Sequence, residues 1–171
     1  LGVVFASAER NWHGRSGWDV ELTYARLATE PYWGIDDLAA RVYRATAQGL
    51  RVLARVDYDQ DQSLPPAGDP QALRDYLAYL QRLARDDRLD RVYGYIVGSG
   101  YNALDSNAMA PARPVTPAWY ARLFNGYGEA AARTDNVVQT IREQNAQARV
   151  LVGPVRPWIQ DQDGERRYDI D

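Results

Sequence analysis

Three carboxylates, Asp57, Asp59 and Asp61, form an Asp-x-Asp-x-Asp run directly behind an apolar segment. If that segment is a strand and continues, alternation sets all three on one side, as a Ca2+ site or a substitute acid. An EF-hand loop asks for Gly at its sixth position and Glu at its twelfth, where Gln62 and Gly68 stand. The run therefore reads as helix-capping carboxylates in a solvated loop, and no metal is expected. Asp161, Asp163 and Glu165 around Gly164 read as a turn by composition. Glu9, where the first apolar run turns polar, is a candidate acid/base. His13, the lone histidine, has no Ser or Cys partner in a recognisable arrangement.

Aromatic residues are the other candidates. Trp12, Trp18, Trp33, Tyr58, Tyr101 and Trp158 fall after apolar segments or in connections between them. There they either cover helix ends or offer flat faces on which a sugar ring stacks. Arg55, Asp57, Asn102 and Arg156 supply the fork-like donors and acceptors that grip hydroxyls. Tyr76, Tyr79, Trp119 and Tyr120 recur at helical spacing and are read as packing residues.

The elements that must position these groups alternate in kind. Val3 to Ser7 is a buried-strand pattern, and Asn11 to Asp19 reads as a loop of Gly, Trp and Arg. Ile35, Leu38, Ala39, Val42, Ala45 and Thr46 share a helical face that Gly49 ends. Arg51 to Asp57 follows as a strand. Asp69-Pro70 caps and opens a helix carrying Leu73, Tyr76, Leu77, Leu80 and Leu83. Val92 to Gly98 is the next strand, and Thr116-Pro117 opens a helix that Asn125-Gly126 breaks. Thr134 or Asp135 caps a further helix, Arg149 to Pro154 reads as the last strand, and a polar tail runs from Gln160. Four strands alternating with amphipathic helices specify the α/β class with parallel strands.

Composition narrows the chemistry. The 171 residues carry 20 basic and 23 acidic side chains, a net charge of −3, one histidine and no cysteine. Disulfides, thiolate metal sites and cysteine nucleophiles are excluded, and no basic excess points to nucleic acid. Every basic residue is arginine, scattered along the chain. No apolar stretch nears the roughly 20 residues that span a bilayer, so no membrane partner is expected. Because the first residue is Leu1, a removed secretory signal and an extracellular destination stay open.

The segment Val92 to Asn102, Val-Tyr-Gly-Tyr-Ile-Val-Gly-Ser-Gly-Tyr-Asn, resembles the fourth strand of the cellulase-like clan of retaining glycoside hydrolases. In that clan the strand ends in Gly-Asn-Glu-Pro-Asn. The likeness extends to the helix start Thr116-Pro117-Ala118-Trp119-Tyr120, to Ile141-Arg142-Glu143-Gln144-Asn145, and to Val150-Leu151-Val152-Gly153-Pro154 as strand five. The resemblance implies a (β/α)8 barrel, of which residues 1–171 supply about four units as one domain of a longer barrel. A small doubly wound parallel sheet is the alternative.

Aligned on Gly98 and Asn102, the motif's asparagine is replaced by Ser99 and its acid/base glutamate by Gly100. The expectation is therefore a barrel that binds carbohydrate through Arg55, Asp57, Tyr58, Tyr101, Asn102, Arg156 and Trp158, without retaining-hydrolase activity and without a cofactor. An active glycosidase using Asp57 or Glu9 is the first alternative. A non-enzymatic interaction or regulatory module is the second.

Overall fold

The computed structural model describes residues 2–4, 12–109, 115–128, 134–160 and 166–168. Five strands form one parallel sheet, in chain order: β1 (Gly2–Val4), β2 (Gly17–Tyr24), β3 (Leu50–Asp57), β4 (Val92–Val97) and β5 (Val150–Val152). Helix α1 (Ile35–Ala47) joins β2 to β3, and α2 (Pro70–Arg85) joins β3 to β4. Two helices, α3 (Pro117–Asn125) and α4 (Val137–Gln144), join β4 to β5. Parallel strands with helices between them are the α/β arrangement the sequence specified. It is common to barrels and to doubly wound sheets.

Three assignments change. Strand β2 begins inside the expected loop from Asn11 to Asp19, so the parallel sheet has five strands where four were expected. The tail carries strand structure: β6 (Trp158–Gln160) pairs antiparallel with β7 (Arg166–Tyr168). The last helix is capped by the Asn136 side chain, which accepts from Gln139 N at 3.0 Å, not by Thr134 or Asp135. The first expected strand is present from Gly2 to Val4. Glu9, with the rest of 5–11, lies outside the described residues, as do Asp161, Asp163 and Glu165.

The local chemistry of α2 is typical of the rest. Asp69 Oδ1 accepts from the Gln71 and Ala72 amides, both at 3.0 Å, and Pro70 takes the first helical position, where no N–H is needed. Leu73, Tyr76, Leu77, Leu80 and Leu83 are then buried against the sheet. Each fully buried side chain of this size contributes roughly 1.5–3 kcal/mol.

Alternation along β3 divides the sheet. Leu50, Val52, Ala54 and Val56 are buried with the helices in the core, and Tyr76 of α2 donates to Val56 O at 2.8 Å. Arg51, Leu53, Arg55 and Asp57 belong to the opposite face. In register with the core residues of β3 stand Asp19, Glu21 and Thr23 of β2, all polar and all buried. Arg41 of α1 meets Glu21: its guanidinium pairs with that carboxylate and donates to Asp37 Oδ2 at 2.8 Å and to Leu22 O at 2.8 Å. Thr23 donates to Trp33 O at 2.5 Å and accepts from the Tyr79 hydroxyl. Glu21, Thr23, Trp33, Asp37 and Arg41 are thus joined in a buried polar network between sheet and helix.

Candidate functional site: a cleft at the carboxyl ends of β3 to β5

Ligands of parallel α/β sheets gather at the carboxyl ends of the strands. A cleft of about 310 Å3 opens there, lined by Arg55 and Asp57 of β3, Ser99 and Gly100 after β4, and Arg156 after β5, among others.

Its walls are stitched together by side-chain amides. After β3 the chain doubles back between Asp59 and Gln62, and Gln62 bridges across to Asn107. Gln62 Nε2 donates to Leu64 O at 2.6 Å and to Asn107 Oδ1 at 3.2 Å, while its Oε1 accepts from Met109 N at 3.1 Å. Asn107 Nδ2 in turn donates to Tyr101 O and Ala103 O, both at 2.8 Å. Ser63 Oγ accepts from Ser99 N at 2.7 Å. Two long loops are therefore held as one wall before any ligand arrives, which is the condition for preorganised recognition.

Arg156 closes the other side. Asn102 and Arg156 exchange hydrogen bonds, Asn102 Nδ2 to Arg156 O and Arg156 N to Asn102 Oδ1, each 2.8 Å long. The Arg156 guanidinium then reaches Asp105 Oδ2 at 2.5 Å and Ser106 Oγ at 3.3 Å. It lies across Gly100: a Cβ on that residue would stand 3.1 Å from both Arg156 Nε and Ser106 Oγ. Gly100 also has φ +61°, a conformation that disfavours any side chain. Beyond the end of β4, then, Gly100 offers no side chain to the cleft, and a guanidinium covers it.

Asp57 is the cleft's buried acid. Its Oδ2 accepts from Arg55 Nη2 at 2.9 Å. Oδ1 makes no hydrogen bond, nor does Arg55 Nε. Burial raises the Asp57 carboxyl from its ordinary range to about 7, against the opposing pull of Arg55.

The predicted residues divide accordingly. Arg55, Asp57 and Arg156 meet in the cleft, beside Gly100. Asn102 spends its amide on the Arg156 backbone and acts by positioning. Tyr58 and Tyr101 are core residues: Tyr58 packs edge-on against Tyr76, and Tyr101 stacks on Tyr120 at 4.2 Å. Trp158 begins β6. Trp18 and Trp33 pack against Tyr93 and Tyr24 respectively, and Trp12 packs against the core.

The Asp-x-Asp-x-Asp run does not share one side, because the strand stops at Asp57. Asp59 turns to Arg26 at 2.9 Å, and only Asp57 and Asp61 line the cleft. Sequence reasoning missed Asp61 as a wall residue, along with Ser63, Ser99, Asp105 and Ser106. The short turn at Leu104–Ser106 that presents Asp105 carries no compositional signature. Among the described residues no three His or acidic side chains are grouped to hold a metal ion. Comparison with family models, with curated proteins and with solved structures found no match to this chain.

Proposed function

We propose that the chain is a carbohydrate-binding segment of a glycoside-hydrolase-like (β/α)8 barrel that lacks the usual acid/base. The observation that carries this reading is the preformed polar cleft at the strand ends, with Arg55, Asp57 and Arg156 around Gly100. Arginine forks and carboxylates in a shaped cleft are the groups that bind sugar hydroxyls in pairs. The strand order supports a barrel over the doubly wound alternative. A doubly wound sheet reverses its order at a switch point, whereas β1 to β5 follow one another without reversal. The core residues of β3 and the helices also share a single face of the sheet. The test is a titration of the 15N-labelled protein with neutral oligosaccharides, together with an assay on aryl glycosides. Shifts at Ser99, Gly100 and Arg156 with no turnover support the reading; no shift with any sugar removes it.

A second reading, an active glycosidase with Asp57 as its acid, is favoured by one observation. A carboxyl held near 7 keeps a transferable proton at neutral pH. Retaining hydrolysis sets a second carboxylate roughly 5 to 5.5 Å away, and Asp61 and Asp105 line the same cleft. This reading predicts turnover that falls as pH rises through about 7 and that Asp57→Asn abolishes.

A further inference from the structure

Arg55 and Asp57 form a fork closed on one tine only. Nη2 meets Oδ2 at 2.9 Å, while Nε and Oδ1 make no hydrogen bond although both are shut off from solvent. The Nε–H and one Nη2 hydrogen leave the same edge of the planar guanidinium. The unused donor therefore lies beside the Nη2 that meets Oδ2, and the unused acceptor is the second oxygen of the same carboxylate. Leaving two such groups unpaired in a buried site is costly, and the cost is recovered by a partner that satisfies both.

The chemistry of that partner is constrained. A ligand carboxylate or phosphate gains at Arg55 and Arg156 but faces Asp57, Asp61 and Asp105 in the same cleft. Arg156 is paired with Asp105 and Arg55 with Asp57, which leaves Asp61 as the excess charge of the lining, so a ligand anion meets a net negative wall. A hydroxyl accepts one hydrogen bond and donates another without carrying charge. We infer that the cleft selects neutral polyhydroxylated ligands over acidic sugars, one ligand hydroxyl closing the open tine between Arg55 Nε and Asp57 Oδ1. The hydroxyl enters as that tine widens. This inference rests on the carbohydrate reading of the cleft and adds to it the class of sugar and the pair that reads it.

The experiment uses the chain of residues 1–171, 15N-labelled, titrated with a panel of neutral hexose oligosaccharides and then with the uronate counterpart of each sugar that binds. The neutral sugar should bind at least about tenfold more tightly than its uronate counterpart. Asp57→Asn keeps one oxygen for Arg55 Nη2, sets an NH2 donor where the second acceptor stood, and should weaken neutral-sugar binding about tenfold or more. Arg55→Lys keeps the charge but loses the fork and should weaken it similarly. Asp59→Asn, whose carboxylate pairs with Arg26, should leave binding unchanged. Dispersed 15N spectra for each variant separate lost recognition from lost folding. Equal affinity for uronate and neutral sugars, tighter binding of a uronate, or unchanged affinity in both Asp57→Asn and Arg55→Lys overturns this inference while carbohydrate binding stands. Failure of every sugar to shift the cleft residues overturns the carbohydrate reading, and this inference falls with it.

Discussion

Glu21 and Asp57 share a physical situation at opposite faces of the sheet. Each is buried, each has an arginine beside it, and burial nevertheless raises each carboxyl to about 7. In Glu21 the neighbouring Asp19 adds to the rise, while Arg41 opposes it. The consequence for stability has a definite sign. A carboxyl whose proton affinity is higher in the folded chain binds more protons folded than unfolded between about pH 4 and 7. Its contribution is full below the unfolded value and is lost as pH rises through about 7. We expect urea midpoints to fall between about pH 5 and pH 8, by roughly 2 kcal/mol or more in stability. Glu21→Gln and Asp57→Asn should each flatten the profile. The ion pair itself makes a second prediction. Arg41→Ala leaves Glu21 charged or protonated without its partner and should cost about 3 kcal/mol, read from equilibrium unfolding. At this scale the sequence was informative about Asp57, Arg55 and Arg156 because they sit at strand ends. It was uninformative about Tyr58 and Tyr101, since a tyrosine beside a strand end is equally at home under the loop or on it.

The helices were legible because their ends are written in short-range chemistry. Asp69-Pro70 and Thr116-Pro117 both act as their side chains predict, Thr116 Oγ1 accepting from Trp119 N at 3.2 Å. Asp69→Ala should therefore cost about 1 kcal/mol, measured by thermal or urea unfolding. Strand β2 was not legible, although Asp19-Val20-Glu21-Leu22-Thr23-Tyr24 does alternate. Its polar residues point into the core, where Arg41 and Tyr79 receive them, so its pattern runs against the usual apolar-inside rule. The glycines of the β4 segment read as a close backbone approach, and Gly94 is one: a Cβ on it would stand 3.1 Å from Arg149 O, beside β5. Gly153 marks the tighter contact. A Cβ there would stand 2.2 Å from Gly98 O and 2.4 Å from Val97 O, both backbone. Gly153→Ala must push the two segments apart and should destabilise the fold by roughly 3 kcal/mol, with the largest amide shift changes in β4 and β5.

For the whole molecule, class was readable from the alternation of periods, whereas closure was not, because closure depends on how many strands share the sheet. The five strands of the parallel sheet pair strictly as neighbours: β1 with β2, β2 with β3, β3 with β4 and β4 with β5. Hydrogen exchange should show a gradient across this sheet, slowest at the amides of β3 and fastest at the three-residue strands β1 and β5. Neighbour-only pairing also bears on how the chain reaches this state. Each strand finds its partner one β/α unit upstream, so no docking event has to close a loop longer than that unit. A ribosome delivering the chain from its amino terminus presents each strand after the one it must lie beside. Assembly of these five strands can keep pace with synthesis, one strand at a time.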